Sequence, residues 1–179
     1  MSKITESHYK TALQIRRVED TFLELFDQSK LNGTVHTCNG QEFSAIAFCS
    51  ALGKDGFIFS GHRCHGHYIA YTGDVPGLIL ELMGKTSGTC SGIGSSQHLF
   101  NKNFFSNGIQ GGIVPVAAGL AFAAKKENKS AIGIVFIGDG TLGEGVVYET
   151  LNLISLLNIP LLIVCENNKY AQSTKIENS

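Results

Sequence analysis

Tyr9, Leu13, Val18, Phe22, Leu25 and Phe26 recur at helical spacing, with Arg16, Arg17, Glu19 and Asp20 between them. This pattern predicts a long amphipathic helix over residues 5–29, ending before Asn32-Gly33. Gly40-Gln41-Glu42 opens a second helix, Phe43 to Leu52. Residues 56–60 (Gly-Phe-Ile-Phe-Ser) read as a short strand, and a helix is expected near Pro76 to Met83. Residues 84–112 break the pattern. Glycine recurs at 84, 88, 92, 94, 108, 111 and 112, yet His98, Leu99, Phe100, Phe104 and Phe105 interrupt it. Such a mixture predicts an ordered loop system at an active site, not a flexible linker. Pro115 starts a helix, Val116 to Lys126, whose small face of Ala117, Ala118, Gly119, Ala121, Ala123 and Ala124 permits close packing.

The last third is the clearest. Residues 132–137 form a short β-branched run, suited to a strand buried on both faces of a parallel sheet. A helix is expected from near Glu144 to Leu157, and Leu161-Leu-Ile-Val-Cys165 is the next strand, with Cys165 read as packing. The expected fold class is therefore α/β: a mostly parallel sheet flanked by helices, in a single domain over residues 1–179.

Composition narrows the function. Hydrophobic residues make up 43% and charged residues only 16%, with 21 glycines, which suggests an extensively buried oligomer subunit. A net charge of −1 gives no basic field, so nucleic acid is not an expected partner. Five cysteines, an odd count with no CxxC pair, point to reduced thiols in a cytoplasmic setting. Met1-Ser-Lys-Ile-Thr-Glu lacks an apolar signal region, and the stretch near 113–124 is too short to span a bilayer.

Chemistry concentrates where the strands end. Gly138-Asp139-Gly140 follows the first strand of the last third; Glu166-Asn167-Asn168 follows the second. Ligands of open α/β sheets bind at these carboxyl ends. The amides and dipole at the next helix N-terminus favour a phosphate. Asp139 alone would repel that phosphate, but with a hard cation between them it becomes a ligand. Asn168 adds a neutral oxygen. A competing reading uses the same letters: Gly138-Asp-Gly-Thr-Leu-Gly143 satisfies G-x-G-x-x-G, with Glu166 near the place of a ribose-binding acid. Against it, a dinucleotide pyrophosphate sits on its glycine turn without a metal, and nothing there calls for paired asparagines.

His62, Arg63, His65 and His67 cluster after the 56–60 strand. Zinc wants four tetrahedral ligands and no fourth stands out, so an imidazole-rich, phosphate-facing loop is the preferred reading. In it His65 donates to a phosphate or oxyanion and Arg63 meets an anion. His98 is a second candidate catalytic residue; a structural role is equally open to it. Cys64 is read as a spectator.

Gly138-Asp139-Gly140 and Asn168 lie twenty-seven residues apart, counting residues 141–167. This spacing resembles the thiamine-diphosphate signature. Joined to Gly40-Gln41-Glu42, His62-Arg63-x-His65-Gly66, Ser96-x-His98, Asn107-Gly108-Ile109 and Glu166-Asn167-Asn168-x-Tyr170, the chain resembles the alpha subunit of thiamine-diphosphate-dependent 2-oxo acid and acetoin dehydrogenases. The resemblance implies the thiamine-diphosphate-binding fold. It implies that Asp139, the Asn168 side chain and the Tyr170 main-chain oxygen ligate Mg²⁺. Gly140 and Thr141 would contact the diphosphate, with Arg63 and His62 on a phosphate oxygen and Gly108 and Gln110 near the cofactor rings. His65 and His98 are the expected catalytic residues. The implied partners are a beta-type subunit carrying the activating Glu, a lipoyl-bearing acyltransferase, and a small 2-oxo acid or acetoin as substrate.

Three departures accompany the resemblance. Gln110 stands where relatives have a small or aliphatic residue. Ser91-Gly-Ile-Gly94-Ser95 replaces a lysine-containing run. The family's alpha subunit continues beyond the Asn-Asn strand, with a later loop bearing another His, so the sheet is expected to be incomplete here. A transketolase-like half, a nicotinamide-binding domain and a non-catalytic scaffold are the other readings.

Overall fold

The structure is a computed structural model that describes residues 4–31, 33–52 and 55–178. Met1–Lys3, Asn32 and Ser179, each touched by the expectations above, lie outside the described residues. The chain divides into two compact units: Met1–Ala51 with His62–Phe104, and Leu52–Gly61 with Phe105–Ser179.

The first unit begins with α1 (Glu6–Asp27). Thr5 caps it in a reciprocal pair: the Thr5 hydroxyl accepts from the His8 amide, and His8 Nδ1 accepts from the Thr5 amide. The buried stripe is Ala12, Ile15, Val18, Glu19 and Phe22. This corrects the expected one, since Tyr9, Leu13 and Phe26 are exposed and Glu19, read as polar-face, is fully buried. The reason is that the Glu19 carboxylate is hydrogen-bonded within the core, as shown below. α2 (Glu42–Ala51) follows.

After strand β1 (Phe57–Ser60), which belongs to the second unit, the first unit resumes with α3 (His65–Thr72) and α4 (Val75–Leu82). α3 corrects the loop expected over the histidines. Its N-cap, Cys64, makes no side-chain cap bond and Gly66 lies in its first turn, so little in the letters announces it. Gly66 earns its place by proximity: a Cβ there would lie 2.8 Å from Cys38 Sγ. α4 is capped by Asp74, which accepts from the Gly77 amide at 2.9 Å. Within the glycine-rich region lie two short strands, β2 (Phe100–Asn101) and β3 (Phe104–Ser106).

The second unit carries α5 (Ile113–Lys126), β4 (Gly133–Gly138), a short 3-10 helix (Asp139–Gly143), α6 (Gly145–Leu157) and β5 (Leu161–Glu166). The small hairpin β6 (Tyr170–Ala171) and β7 (Thr174–Lys175) follows. α5 starts before Pro115, which a first helical turn tolerates because its amides lack partners there. β1, β4 and β5 are parallel neighbours in that order. Ala117, Ala118, Ala121 and Ala124 of α5 pack with Phe57, Phe59, Val135 and Ile137 of the sheet in one core. β5 is the last strand of the sheet, and Cys165 on it is exposed, which corrects its reading as packing. Among the described residues, no helix is long and apolar enough to cross a membrane.

Candidate functional site

The second unit assembles the strand-end chemistry. β4 and β5 are in register from Gly133↔Leu161 to Gly138↔Glu166, so both strands finish level. That register carries Asp139 beside the asparagine pair, and α6 supplies the crossover that closes the twenty-seven-residue gap. Asp139 Oδ1 accepts from the Asn168 amide at 3.3 Å. Asp139 Oδ2 is buried and has no hydrogen-bond partner among the described residues. A buried carboxylate oxygen without a donor is costly, and a cation satisfies it. Asn168 Oδ1 accepts from the Tyr170 amide at 3.0 Å, which fixes the turn and leaves that oxygen a second lone pair. No group of three or more His, Cys, Asp or Glu suited to a metal occurs among the described residues. What Asp139 and Asn168 offer here is a carboxylate oxygen and an amide oxygen, donors of the type that a hard cation such as Mg²⁺ takes.

Space lies around the turn. A Cβ at Gly138, Gly143 or Gly145 would meet nothing within 4 Å, while one at Gly140 would lie 2.4 Å from Ala171 Cβ. The dinucleotide reading fits this poorly, because its third glycine serves close helix–strand packing, whereas a Cβ at Gly143 would meet no described residue within 4 Å. Thr141 is buried beside Asp139 in the 3-10 turn. Gln110 Nε2 donates to Gly108 O at 3.0 Å. Its carbonyl lies over Gly61, where a Cβ would come within 2.7 Å of Oε1. Glu144 Oε1 accepts from the Gly111 amide at 2.9 Å, tying the 108–111 segment to the start of α6. Although Cys165 is exposed, its thiol is pushed up by partial desolvation and by the charges of Asp139 and Glu166.

The first unit gathers the histidine and arginine candidates. His62 meets His36 edge to face at 4.8 Å between ring centroids. Arg63 Nη1 donates to Thr37 O, and its buried Nε has no hydrogen-bond partner among the described residues. His36 is held below the usual histidine range by burial, then by the charges of His62 and Arg63. Sequence reasoning passed over His36, because nothing in Gly33-Thr-Val-His36-Thr-Cys38 marks it; the cluster exists only in the fold.

His65 is fully buried. Its Nδ1 lies 3.0 Å from Glu19 Oε2, and its Nε2 lies 2.9 Å from Ser96 Oγ and 3.2 Å from Ser96 O. A carboxylate only accepts, so Nδ1 carries the proton toward Glu19. Glu19 Oε1 accepts from the Cys38 amide at 2.9 Å. Burial pushes the Glu19 carboxyl up, but His65 and the Cys38 hydrogen bonds more than offset it, leaving it below the usual range. Burial, and then the same carboxylate, raise the Cys38 thiol. His65 thus has both nitrogens engaged in the core, whereas His98 is exposed on its loop. Glu19 and Ser96 were not foreseen as functional. The usable signal was spacing: Glu19 stands four residues after Ile15 and three before Phe22, on the buried stripe.

The chain is similar to named proteins along nearly its whole length. The alpha subunit of the acetoin:2,6-dichlorophenolindophenol oxidoreductase of Bacillus subtilis is 40% identical over 172 residues, covering 94% of this chain and 52% of that one. The pyruvate dehydrogenase E1 component subunit alpha of Zymomonas mobilis is 40% identical over 174 residues, covering 94% and 49%. The mitochondrial counterpart of Saccharomyces cerevisiae is 38% identical over 172 residues, covering 96% and 41%. The chain thus spans about half the length of these relatives. A solved structure assigned as a thiamin diphosphate-dependent enzyme of Mycobacterium smegmatis aligns with a TM-score of 0.51 at 14% identity, over 75% of this chain and 22% of that one, a likeness of fold. Residues 10–179 match the model of the dehydrogenase E1 component, and the chain belongs to that family.

Proposed function

We propose that this chain forms the diphosphate- and metal-binding part of the alpha subunit of a thiamine-diphosphate-dependent dehydrogenase acting on a small 2-oxo acid or acetoin. The observation that carries the reading is Asp139 Oδ2, buried without a hydrogen-bond partner among the described residues, at level strand ends beside Asn168. The residues fit the implied group. Asp139, the Asn168 side-chain oxygen and the Tyr170 main-chain oxygen would hold Mg²⁺. The main chain at Gly140 and Thr141 and the start of α6 would take the diphosphate. Arg63 and His62 would neutralise a phosphate oxygen, and Gly108 and Gln110 would line the rings.

Thiamine diphosphate supplies a nucleophilic carbon and an electron sink for cleavage beside a carbonyl. The chain's own residues bind, orient and exclude water. Asp139 would bring the negative charge that a dication needs beside the helix N-terminus. Glu144 holds the Gly111 amide and with it the Gln110 segment. His98 is the residue of this chain exposed to meet substrate. His65, with both nitrogens taken, is read as positioning rather than touching it.

A beta-type subunit would complete the site with the activating Glu, and a lipoyl-bearing acyltransferase would receive the acyl group. A cytoplasmic setting is part of the same reading. The test is a titration of the assembled enzyme with thiamine diphosphate, with and without Mg²⁺, against NAD. Mg²⁺-dependent binding of thiamine diphosphate and none of NAD is expected. Binding of NAD alone would reverse the assignment.

A further inference from the structure

Glu81 interrupts the apolar run of α4 and is fully buried, yet its carboxylate points into a glycine-rich turn of its own unit. Oε2 accepts from the amides of Cys90 at 2.7 Å and Gly92 at 2.9 Å. Oε1 accepts from the amides of Gly94 at 2.7 Å and Ser95 at 3.3 Å. Ser91, Gly92 and Ser95 have φ of 58°, 76° and 53°, the left-handed region that curls successive amides around an anion. The loop also presses on its anchor: a Cβ at Gly88 would lie 2.6 Å from main-chain atoms of Glu81.

Hydrophobic burial does not explain why this segment is ordered. Ile93, its one large apolar side chain, is 85% exposed. A stretch with Gly88, Gly92 and Gly94 loses much backbone entropy on ordering. Hydrogen bonds to an ionised acceptor are stronger than neutral ones, and four converge on one carboxylate. The order is then transmitted. Gly94 O accepts from the His98 amide at 3.1 Å, and a Cβ at Gly94 would lie 2.0 Å from His98 O. Ser96, next along, meets His65 at 2.9 Å, two residues after Arg63.

We propose that Glu81 is the positioning residue of the glycine-rich loop: its carboxylate is the template around which residues 90–95 fold, and through Gly94 it sets where His98 stands. The loop half of this inference is independent of the proposed activity. The His98 half rests on the reading that His98 meets substrate.

The test is Glu81→Gln in the assembled enzyme, read by hydrogen exchange resolved to single amides. A carboxamide has one acceptor oxygen and one donor group. It can serve either Cys90 and Gly92 or Gly94 and Ser95, while its NH₂ meets the other pair donor to donor. The expected result is that one pair exchanges about 10- to 100-fold faster, the loss of a hydrogen bond to a charged group. The other pair and the amides of α1 and α3 keep their protection. Wild-type protection at all four amides in the variant overturns the template. Should the variant not fold, the wild-type enzyme decides: exchange of the four amides at unstructured rates overturns it, and strong protection upholds it. In parallel, kcat/KM is expected to fall in Glu81→Gln with thiamine diphosphate still bound. An unchanged kcat/KM overturns the positioning of His98. Failure of the wild-type enzyme to bind thiamine diphosphate overturns the proposed function and leaves the loop result standing.

Discussion

Asp139 Oδ1 and the Asn168 main-chain amide meet at 3.3 Å where β4 and β5 end side by side, and the second Asp139 oxygen is left buried without a hydrogen-bond partner among the described residues. The pairing with Asn168 shows that Asp139 holds the following turn in place. The unpaired oxygen shows that this structural duty does not use up the carboxylate.

Asp139→Ala is therefore expected to weaken Mg²⁺-dependent thiamine diphosphate binding by more than about 100-fold, since even partners outside a metal's ligand set cost 10- to 100-fold. Calorimetric titration of the assembled enzyme measures it, with circular dichroism to check that the fold persists. An affinity equal to wild type would remove Asp139 from the ligand set.

Arg63 invites a graded comparison. Its guanidinium is anchored to Thr37 O by Nη1 and keeps a buried Nε with no hydrogen-bond partner among the described residues. Arg63→Ala is expected to weaken cofactor binding, and Arg63→Lys to restore it only in part. A planar guanidinium matches phosphate oxygens in a way that a single ammonium does not. Equal affinity in all three proteins would make Arg63 a bystander.

Much of this was legible in the chain, and the exceptions share a cause. The runs 132–137 and 161–165 were readable as strands because β-branched residues bounded by Gly, Pro and Asn leave few alternatives. The Gly138–Gly140 turn and the asparagine pair were readable because the register brings strand ends level. α3 was not, because His65, Gly66 and His67 carry weak helix preference; in the fold His65 is held against Glu19 and Gly66 lies against Cys38. Glu19 and Glu81 were not, because a charged residue in a helix is ordinarily assigned to solvent. Both are buried since backbone amides and an imidazole from distant segments converge on them. A lone acid inside the apolar run of α4, a few residues before a Gly/Ser stretch, was the available sign.

The Glu19–His65 pair makes a stability prediction. Glu19→Ala would leave the His65 Nδ1–H and the Cys38 amide buried without their acceptor. Breaking such a buried pair costs about 3–5 kcal/mol. Glu19→Gln, which keeps one acceptor, should cost less. Urea unfolding measures both. A change within about 0.5 kcal/mol, the range of ordinary surface substitutions, would contradict the pairing.

Acidification should act in two stages. Below about pH 6.5 the unfolded chain protonates His36 while the folded one, whose His36 is depressed by burial and by His62 and Arg63, does not. The unfolded state then binds more protons, so stability falls as pH drops from there toward the lower folded value. Glu19 and Glu42 are also depressed in the fold; at each, burial works against the shift and is outweighed, at Glu42 by Arg16 and Gly40. Their stabilisation is present above the usual carboxylate range near pH 4.3 and is lost as pH falls through their lower folded values. His36→Gln should flatten the upper stage alone in thermal unfolding between pH 5 and 7. A slope unchanged by that substitution would place the titration elsewhere.

The last prediction concerns assembly. The outer face of α5 shows Val116 at 59% and Leu120 at 39% exposure, with Gly119 between them and nothing within 4 Å of where its Cβ would be. Ala121, on the small face expected to permit close packing, packs into the core of its own unit, so that face of α5 divides between an inner and an outer set. α6 adds Tyr148, Leu153 and Leu156 at 57%, 52% and 71% exposure. Apolar surface of this kind on a functional helix marks an interaction face. Chemistry points the same way. Of the acids in this chain, Glu19 and Glu81 are saturated in the core, Glu42 is paired with Arg16, and Glu144 holds the Gly111 amide. None of the four is left to activate a bound cofactor. The chain alone is therefore expected to show no turnover with thiamine diphosphate, Mg²⁺ and a 2-oxo acid or acetoin, and to gain activity with a beta-type subunit. Leu156→Asp, on the most exposed of these positions, should weaken that assembly without changing the metal ligands. Sedimentation and activity of the purified chain, alone and with the partner, decide the matter: robust turnover by a monomer would show that the active site is complete within one chain.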